Sequence, residues 1–277
     1  MSSAGPEDRI LPAPALSGHD SGVELLDYDA VPGLSPAGGA PGSMLLLHGF
    51  GGDKSQLRPL GDALCPAGCV AVHPSLRSHG ESHRPNWGYS VLDFSADLHR
   101  IADILPDEVH LVGYSYGGLV AAVSAVTWGA SRVRSLVVID QSFDAHPALH
   151  VADEWAEGSL LRWTYDFGHL PDLLERLGIP VLVLAGTDSG NLLAGERERL
   201  SGRSGGMLRL ETIRGSHADC YRNTEEIASV MREFYRDHFA GVSGISGLPG
   251  LSGNGNGVGN GNGNGMGNGI GEKEKSA

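Results

Sequence analysis

The stretch VHLVGYSYGG, from Val109 to Gly118, places a serine directly after one apolar run and before another. The first run has the length and character of a strand buried on both faces, and residues 118–128 predict a helix. Ser115, with Gly113 and Gly117, matches the pattern G-x-S-x-G, which between a strand and a helix predicts a nucleophile elbow. Such a turn strains the serine backbone and directs the hydroxyl into a crevice above the strand ends. Taken alone, the pattern is also compatible with a glycine-rich turn that carries a serine by chance.

Short apolar runs recur on both sides of this stretch and alternate with segments of helical periodicity. Strands are predicted at 44–48, 69–74, 109–114, 133–140, 180–186 and 206–213, with a weaker hairpin around 22–31. Helices are predicted at 90–105, 118–128, 171–178 and 224–239. This alternation predicts an α/β fold, with a mostly parallel central sheet and helices on both of its faces.

Composition divides the chain into three parts. Residues 1–21, rich in Pro, Ala and Ser, are expected to be a flexible N-terminus, and residues 241–277, rich in Gly and Asn, a disordered tail. A single globular domain is predicted between them, over 22–240. Within that domain, residues from about 141 to 170 break the alternation and are interpreted as a short cap insertion over the carboxyl edge of the sheet.

The bulk properties exclude several classes of partner. The 277-residue chain has a formal net charge of −13, which argues against nucleic acid as a partner. No apolar run approaches the roughly 18 residues of a membrane span, and the N-terminus does not resemble a signal peptide, so a cytoplasmic location is expected. Cys65, Cys69 and Cys220 do not form a secreted disulfide framework. Cys65 and Cys69 lack the spacing of common zinc sites. His79 and His83 have the i, i+4 spacing of a helical metal site, but the surrounding Gly and Pro argue against a helix there, so no metal and no cofactor are predicted.

A serine hydroxyl is a weak nucleophile unless a base and an acid accompany it. His217, in RGSHADC, lies between the last predicted strand and the final helix, where a loop can reach Ser115, and it is the predicted base. Asp188 directly follows the strongly apolar strand VLVLAG and is the favoured acid, and the chain order Ser115, Asp188, His217 is the one expected for such an elbow. Asp140, at the end of the preceding strand in LVVIDQS, is the alternative acid, although an aspartate at a strand end can instead cap a turn or hold the cap.

The loop HGFGGD, residues 48–53, follows the predicted strand MLLLH and is the candidate oxyanion hole. The backbone N–H of Phe50 is predicted to act there together with that of Tyr116, the residue after the nucleophile. His48 is expected to brace this loop by hydrogen bonds and not to serve as a base.

Four residues are candidate substrate contacts. The glycines of the loop, Gly49 among them, allow its backbone to approach a substrate closely. Tyr114 is a second candidate, although packing beside the elbow is equally compatible with its position. Trp155 and Trp163 of the cap are interpreted either as lining an acyl pocket or as core residues of the cap.

Together these motifs resemble the α/β-hydrolase superfamily over roughly residues 22–240. The stretches that carry the resemblance are HGFGGD, HPSLRSHGESHRP (73–85), YSVLDFSADL (89–98), GYSYGG, VLVLAGTD (181–188) and GSH (215–217). The chain departs from the D-x-R-G-x-G-x-S pattern frequent in that superfamily. It has Ser75 and Ser78 where Asp and Gly are usual, so the local geometry of this loop is expected to differ. Its cap is shorter than many, which implies a fairly open site.

The resemblance and the serine nucleophile imply a hydrolase that cleaves a carboxylic ester or thioester through an acyl-enzyme. The expected partner is a small acyl substrate, and the sequence leaves its acyl chain, its leaving group and the oligomeric state open. Two alternatives remain. The same triad serves cofactor-free lyases, cyclases and carbon–carbon bond hydrolases in the superfamily, and some hydrolase-fold proteins are ligand-binding receptors.

Overall fold

A single sheet organises the chain. The computed structural model describes residues 8–12, 25–32, 43–64, 70–102, 108–144, 167–203 and 206–239. Within these ranges the strands are β1 (Asp8–Pro12), β2 (Leu25–Pro32), β3 (Ser43–Leu47), β4 (Val70–Pro74), β5 (Val109–Tyr114), β6 (Val133–Ile139), β7 (Val181–Gly186) and β8 (Leu208–Ile213). They lie in the order β1-β2-β4-β3-β5-β6-β7-β8. Neighbours from β4 to β8 are parallel, whereas β1 and β2 pair antiparallel at one edge.

Helices cover both faces of this sheet. They are α1 (Arg58–Leu64), α2 (Val91–Ala102), α3 (Tyr116–Trp128), α4 (Leu170–Arg176), α5 (Ala194–Ser201) and α6 (Thr224–Phe239). On one face, α2, α3, α4 and α5 pack in one apolar cluster; on the other, α1 and α6 pack in a second. Helix α3 is apolar on nearly all sides because it is enclosed by the sheet, α2 and α4. No helix in the described part of the chain is long and apolar enough to cross a membrane.

The predicted α/β architecture is confirmed. Each of the predicted strands from 44 onward is present with ends within two residues of those expected. The hairpin predicted around 22–31 is wrong, because Leu25–Pro32 forms one strand that pairs with β1 and β4. Helices α1 and α5 were not predicted. The first is short and contains a glycine, and the second, AGERERLS, is so polar that it shows no apolar periodicity.

One segment boundary needs correction. Asp8–Pro12 falls in the stretch expected to be flexible, yet it forms β1 and pairs with Leu25–Pro32. A run of five residues at a sheet edge gains backbone hydrogen bonds from one neighbour only, and composition alone does not reveal such pairing. Most of the predicted cap, 145–166, and the predicted tail, 241–277, lie outside the described residues.

Buried histidines make the stability of the fold depend on pH, and the pKa shift is large for three of them. His48, His73 and His110 are 1, 0 and 5% exposed. Burial lowers the pKa of His48 and of His73 to about 4, and that of His110 to about 3. The unfolded chain, in which these groups titrate near pH 6.5, therefore binds more protons than the folded chain down to about pH 4.

We accordingly expect the free energy of unfolding to decrease as the pH falls from about 6.5 to about 4, by up to about 1.4 kcal/mol per pH unit for each histidine. Urea unfolding at a series of pH values measures this slope. His110→Asn removes one titrating ring but keeps a polar group near the Ser135 hydroxyl, which lies 2.7 Å from His110 Nδ1. A slope in this variant equal to that of the unaltered protein would contradict the assignment.

Candidate active site

The nucleophile elbow lies where β5 meets α3. Ser115 has φ 51° and ψ −130°, a conformation that non-glycine residues rarely adopt, and its N–H donates to the carbonyl of Ile139 at 2.9 Å. A β-carbon on Gly113 would lie 2.2 Å from the carbonyl oxygen of Gly117, and one on Gly117 would lie 2.3 Å from that of His48. Neither distance is tolerable, so the turn requires glycine at both positions, as the sequence predicts.

The structure brings the serine and the predicted base together. Ser115 Oγ lies 2.9 Å from Nε2 of His217, across 102 positions of sequence. His217 belongs to the loop that follows β8, and its side chain is 39% exposed, so the ring reaches the surface of the site. The serine hydroxyl can therefore donate its proton directly to the imidazole.

Tyr114 supports this histidine from below. Its ring stacks on that of His217 with centroids 5.3 Å apart and planes 28° apart, and its hydroxyl donates to the His217 backbone carbonyl. Tyr114 is only 5% exposed and belongs to the core on the α6 side of the sheet. Tyr114 therefore packs beside the elbow, and its contact with substrate stays a prediction.

The carboxylate beside His217 is that of Asp140. Its Oδ2 lies 2.7 Å from His217 Nδ1. Asp140 follows β6, the strand next to the one that carries the serine, and its side chain is fully buried. Because Nδ1–H donates to this carboxylate, Nε2 is left as the acceptor for the serine hydroxyl, which is the tautomer that a general base needs.

The expectation for Asp188 is corrected by this geometry. Asp188 follows β7, but it is exposed, and the contact of its carboxylate is the neighbouring Thr187 hydroxyl at 3.3 Å. Both Asp140 and Asp188 lie after the carboxyl end of a strand and before His217 in the chain, so sequence order does not separate them. What separates them is the loop after β7, which turns Asp188 outward and directs Ser189 inward, where its hydroxyl meets Asp140.

Hydrogen bonds keep Asp140 ionised in spite of its burial. Burial alone would raise the pKa of this carboxyl group. Donation from His217, from the Ser189 hydroxyl at 2.6 Å and from the Gly186 N–H at 2.8 Å outweighs that effect, and the pKa lies below its ordinary value. Asp140 is thus a charged acceptor that can stabilise a protonated imidazole.

The predicted oxyanion loop lies against the elbow. A β-carbon on Gly49 would be 2.8 Å from the Tyr114 ring and 3.2 Å from Cβ of Ser115, so only glycine allows this approach. Phe50 is the next residue, and Tyr116 begins α3 directly after the serine. The roles of their N–H groups stay predictions. Trp155 and Trp163, the cap tryptophans expected near substrate, lie outside the described residues.

His48 braces that loop, as expected. Its Nδ1–H donates to the Gly49 carbonyl at 2.7 Å, and its Nε2 accepts from the Leu76 N–H at 2.9 Å. The pKa of His48, lowered to about 4 by burial, keeps the ring neutral and this pair of bonds intact. Gln56 adds a further tie, because its Oε1 accepts from the Gly49 N–H at 2.8 Å.

His79 and Cys220, whose side chains are of types that bind metals, pack within the protein. His79 packs its ring against His48 and Phe50, with centroids 4.9 and 5.6 Å away. Across the described residues, no cluster of three histidine, cysteine or acidic side chains could hold a metal ion. Cys220 is buried beneath the His217 loop, where burial raises the pKa of its thiol to about 12.

Sequence reasoning missed Ser189 and Asn191. The Asn191 side-chain amide donates to the backbone carbonyl of Asp140 at 2.7 Å and lies 3.2 Å from His217 Nδ1. The sequence does contain the polar run TDSGN directly after the buried strand β7. Within that run only the aspartate is a candidate acid, and the serine and asparagine were not considered.

Comparison with known proteins agrees with this architecture. The family model described as alpha/beta hydrolase fold matches residues 42–171. The chain has the α/β-hydrolase fold. Among solved α/β-hydrolases, the thioesterase domain from the curacin biosynthetic pathway aligns with a TM-score of 0.64 and 16% identity, over 82% of this chain and 99% of that one. A structure from a study of carboxylesterases of Nitrososphaera gargenis aligns with a TM-score of 0.64 and 15% identity, over 83% of this chain and 98% of that one. At these identities the likeness concerns the fold.

Curated relatives match over a shorter range. A 2-succinyl-6-hydroxy-2,4-cyclohexadiene-1-carboxylate synthase from Salmonella typhimurium is 34% identical over 142 residues, which are 48% of this chain and 52% of that protein. A pimeloyl-[acyl-carrier protein] methyl ester esterase from Aeromonas salmonicida is 30% identical over 121 residues, 40 and 41% of the two chains. The chain thus spans about half the length, or less, of the curated relatives it matches.

At residues 75–82, where the sequence departs from the superfamily pattern, hydrogen bonds of nearby side chains hold the loop. Ser78, at the position where glycine is usual, has φ 64°, and its hydroxyl pairs with that of Tyr89 at 2.8 Å. Arg77 binds Asp97 through two nitrogens, at 2.6 and 2.7 Å. Ser82 donates to the carbonyl of Ser75 at 2.7 Å. Side-chain bonds thus hold this loop, whose local geometry was expected to differ from the superfamily pattern.

Proposed function

We propose that the protein is a serine hydrolase that cleaves a carboxylic ester or thioester through an acyl-enzyme. The observation that carries this proposal is the continuous chain of contacts from Ser115 to His217 at 2.9 Å and from His217 to Asp140 at 2.7 Å. A hydroxyl, a correctly oriented imidazole and a buried carboxylate in this order are the parts that acyl transfer needs.

In the first half-reaction, Ser115 Oγ attacks the carbonyl carbon of the substrate, and its proton passes to His217 Nε2. Asp140 holds the ring and stabilises the imidazolium that forms. The negative charge that develops on the former carbonyl oxygen is received by the N–H groups of Phe50 and Tyr116. Collapse of the tetrahedral intermediate breaks the bond to the leaving alcohol or thiol, which takes the proton from His217.

In the second half-reaction, a water molecule replaces the departed group. His217 removes a proton from this water as it attacks the acyl carbon, and a second tetrahedral intermediate forms. Its collapse breaks the bond to Ser115 Oγ, which recovers the proton from His217, and the carboxylic acid is released. The exposed face of His217 leaves room for both leaving group and water.

The relatives support an acyl substrate but also favour one alternative. One curated relative is named as a methyl ester esterase, and one structural neighbour as a thioesterase domain. The relatives from Salmonella are named as synthases, at 34 to 35% identity. A cofactor-free lyase, cyclase or carbon–carbon bond hydrolase that uses the same triad is therefore the second candidate function.

A fluorophosphonate probe followed by peptide mass mapping tests the proposal. We expect rapid labelling at Ser115, and loss of labelling in His217→Ala, because the probe reacts with an activated serine only. p-Nitrophenyl esters and acyl thioesters of increasing chain length then identify the acyl group. Labelling without hydrolysis of any of these reporters would favour the second candidate, and no labelling would favour a ligand-binding receptor.

A further inference from the structure

We propose that Ser189 and Asn191 are positioning residues that fix the acid–base pair, so that the loop after β7 supports an acid carried by the neighbouring strand. This inference rests on the proposed function, since it concerns the same triad. Their contacts are with Asp140 and His217, the two groups that act on Ser115.

Ser189 binds the carboxylate oxygen of Asp140 that also accepts from His217. Its hydroxyl donates to Asp140 Oδ2 at 2.6 Å, and the same oxygen accepts from His217 Nδ1 at 2.7 Å. The Ser189 oxygen in turn accepts from the Asn191 N–H at 3.1 Å. That bond occupies an acceptor site of the hydroxyl and leaves its proton for Asp140.

Asn191 acts on the backbone of the acid. Asp140 has φ 51°, a left-handed conformation that is costly for residues other than glycine. The Asn191 amide donates to the Asp140 carbonyl at 2.7 Å and thereby holds this conformation. Its nitrogen also lies 3.2 Å from His217 Nδ1. Since the Nδ1 proton points to Asp140, the amide borders the ring edge without competing for the nitrogen.

The loop is tied to the base as well as to the acid. The Asp188 N–H donates to the Gly215 carbonyl at 3.0 Å, and the Gly215 N–H donates to the Thr187 hydroxyl at 3.1 Å, two residues before His217. From the other side, Arg197 of α5 donates to the Gly186 carbonyl at 3.0 Å. Residues 187–191 therefore bridge the segments that carry Asp140 and His217.

The chemical type of these donors suits the role. The Ser189 hydroxyl fixes the Asp140 carboxylate, and the Asn191 amide fixes the backbone that carries it. Both donors are neutral, so the full negative charge remains available to the imidazolium. A lysine or arginine at either position would compete with His217 for that charge. Loss of either donor should lower kcat by about 10-fold, with little effect on substrate affinity.

The test is steady-state hydrolysis of p-nitrophenyl acetate by full-length Ser189→Ala and Asn191→Ala. We expect kcat to fall about 10-fold in each while KM changes by less than about twofold. Ser189→Thr keeps the hydroxyl and should recover most of the activity. Ser201→Ala, which removes a hydroxyl from the exposed side of α5, is the matched control and should behave as the unaltered protein. Thermal unfolding of each variant checks that the loss is not one of folding.

A kcat within twofold of the unaltered protein in both alanine variants would overturn the inference, as would a rise in KM at constant kcat. If Ser189→Ala does not fold, Asn191→Ala decides the question by the same criteria. The rate of fluorophosphonate labelling distinguishes failure of the proposed function from failure of this inference. Failure to label Ser115 in the unaltered protein overturns the proposed function and this inference with it. Normal labelling that is equally fast in both alanine variants overturns the inference alone.

Discussion

Ser115→Ala is expected to abolish the proposed esterase activity and leave the fold intact. Removal of the nucleophile from a complete triad lowers kcat by about 10⁴- to 10⁶-fold, because His217 and Asp140 then have no hydroxyl to activate. The Ser115 side chain contributes its contact with His217 Nε2, whereas the turn itself is held by backbone bonds such as that from the Ser115 N–H to Ile139. Alanine fits this turn as well as serine does, since both carry a β-carbon at φ 51°.

Three measurements check this expectation. Hydrolysis of p-nitrophenyl acetate reports the loss of kcat, and thermal unfolding should show a midpoint within a few degrees of that of the unaltered protein. Fluorophosphonate labelling should vanish with the hydroxyl. A variant that keeps a tenth or more of the original kcat would show that another group carries the reaction.

Most of the architecture follows from local patterns in the sequence. Strands β3 to β8 are short apolar runs with clear ends. Helix α3 is apolar on nearly all sides, as an enclosed helix should be, whereas α6 has one apolar and one polar face, as a surface helix should. The elbow follows from steric demands on Gly113 and Gly117 that any side chain would violate. The edge strand Asp8–Pro12 does not follow, because its pairing with β2 depends on a partner distant in the chain.

The sequence predicted those site residues whose positions are fixed by the fold. Ser115 and His217 are of this kind, since one follows β5 and the other follows the last strand. The acid could not be predicted in this way, because the direction of a side chain in a loop depends on contacts made across the sheet. Gly186 and Ser189 turn toward Asp140, and that arrangement leaves Asp188 facing solvent.

The paired substitutions Asp140→Asn and Asp188→Asn separate the two candidate acids. We expect Asp140→Asn to lower kcat by about 10⁴-fold and Asp188→Asn to change it by less than about twofold. Asparagine is isosteric with aspartate and tolerates positive φ, so the backbone of residue 140 should be preserved. Kinetics on p-nitrophenyl acetate, with thermal unfolding of both variants, provide the measurement.

The large loss at Asp140 follows from the donors around it. Its carboxylate accepts from His217, Ser189 and the Gly186 N–H, all of which present hydrogens. An amide can accept with its oxygen only, so in either orientation its NH₂ group faces one or more of these donors. If the NH₂ faces His217, Nδ1 becomes the acceptor and Nε2 carries the proton, which leaves no base for the serine. If it faces Gly186 instead, the tautomer survives, but the negative charge that stabilises the imidazolium is gone. A severe loss in Asp188→Asn together with an active Asp140→Asn would reverse the assignment.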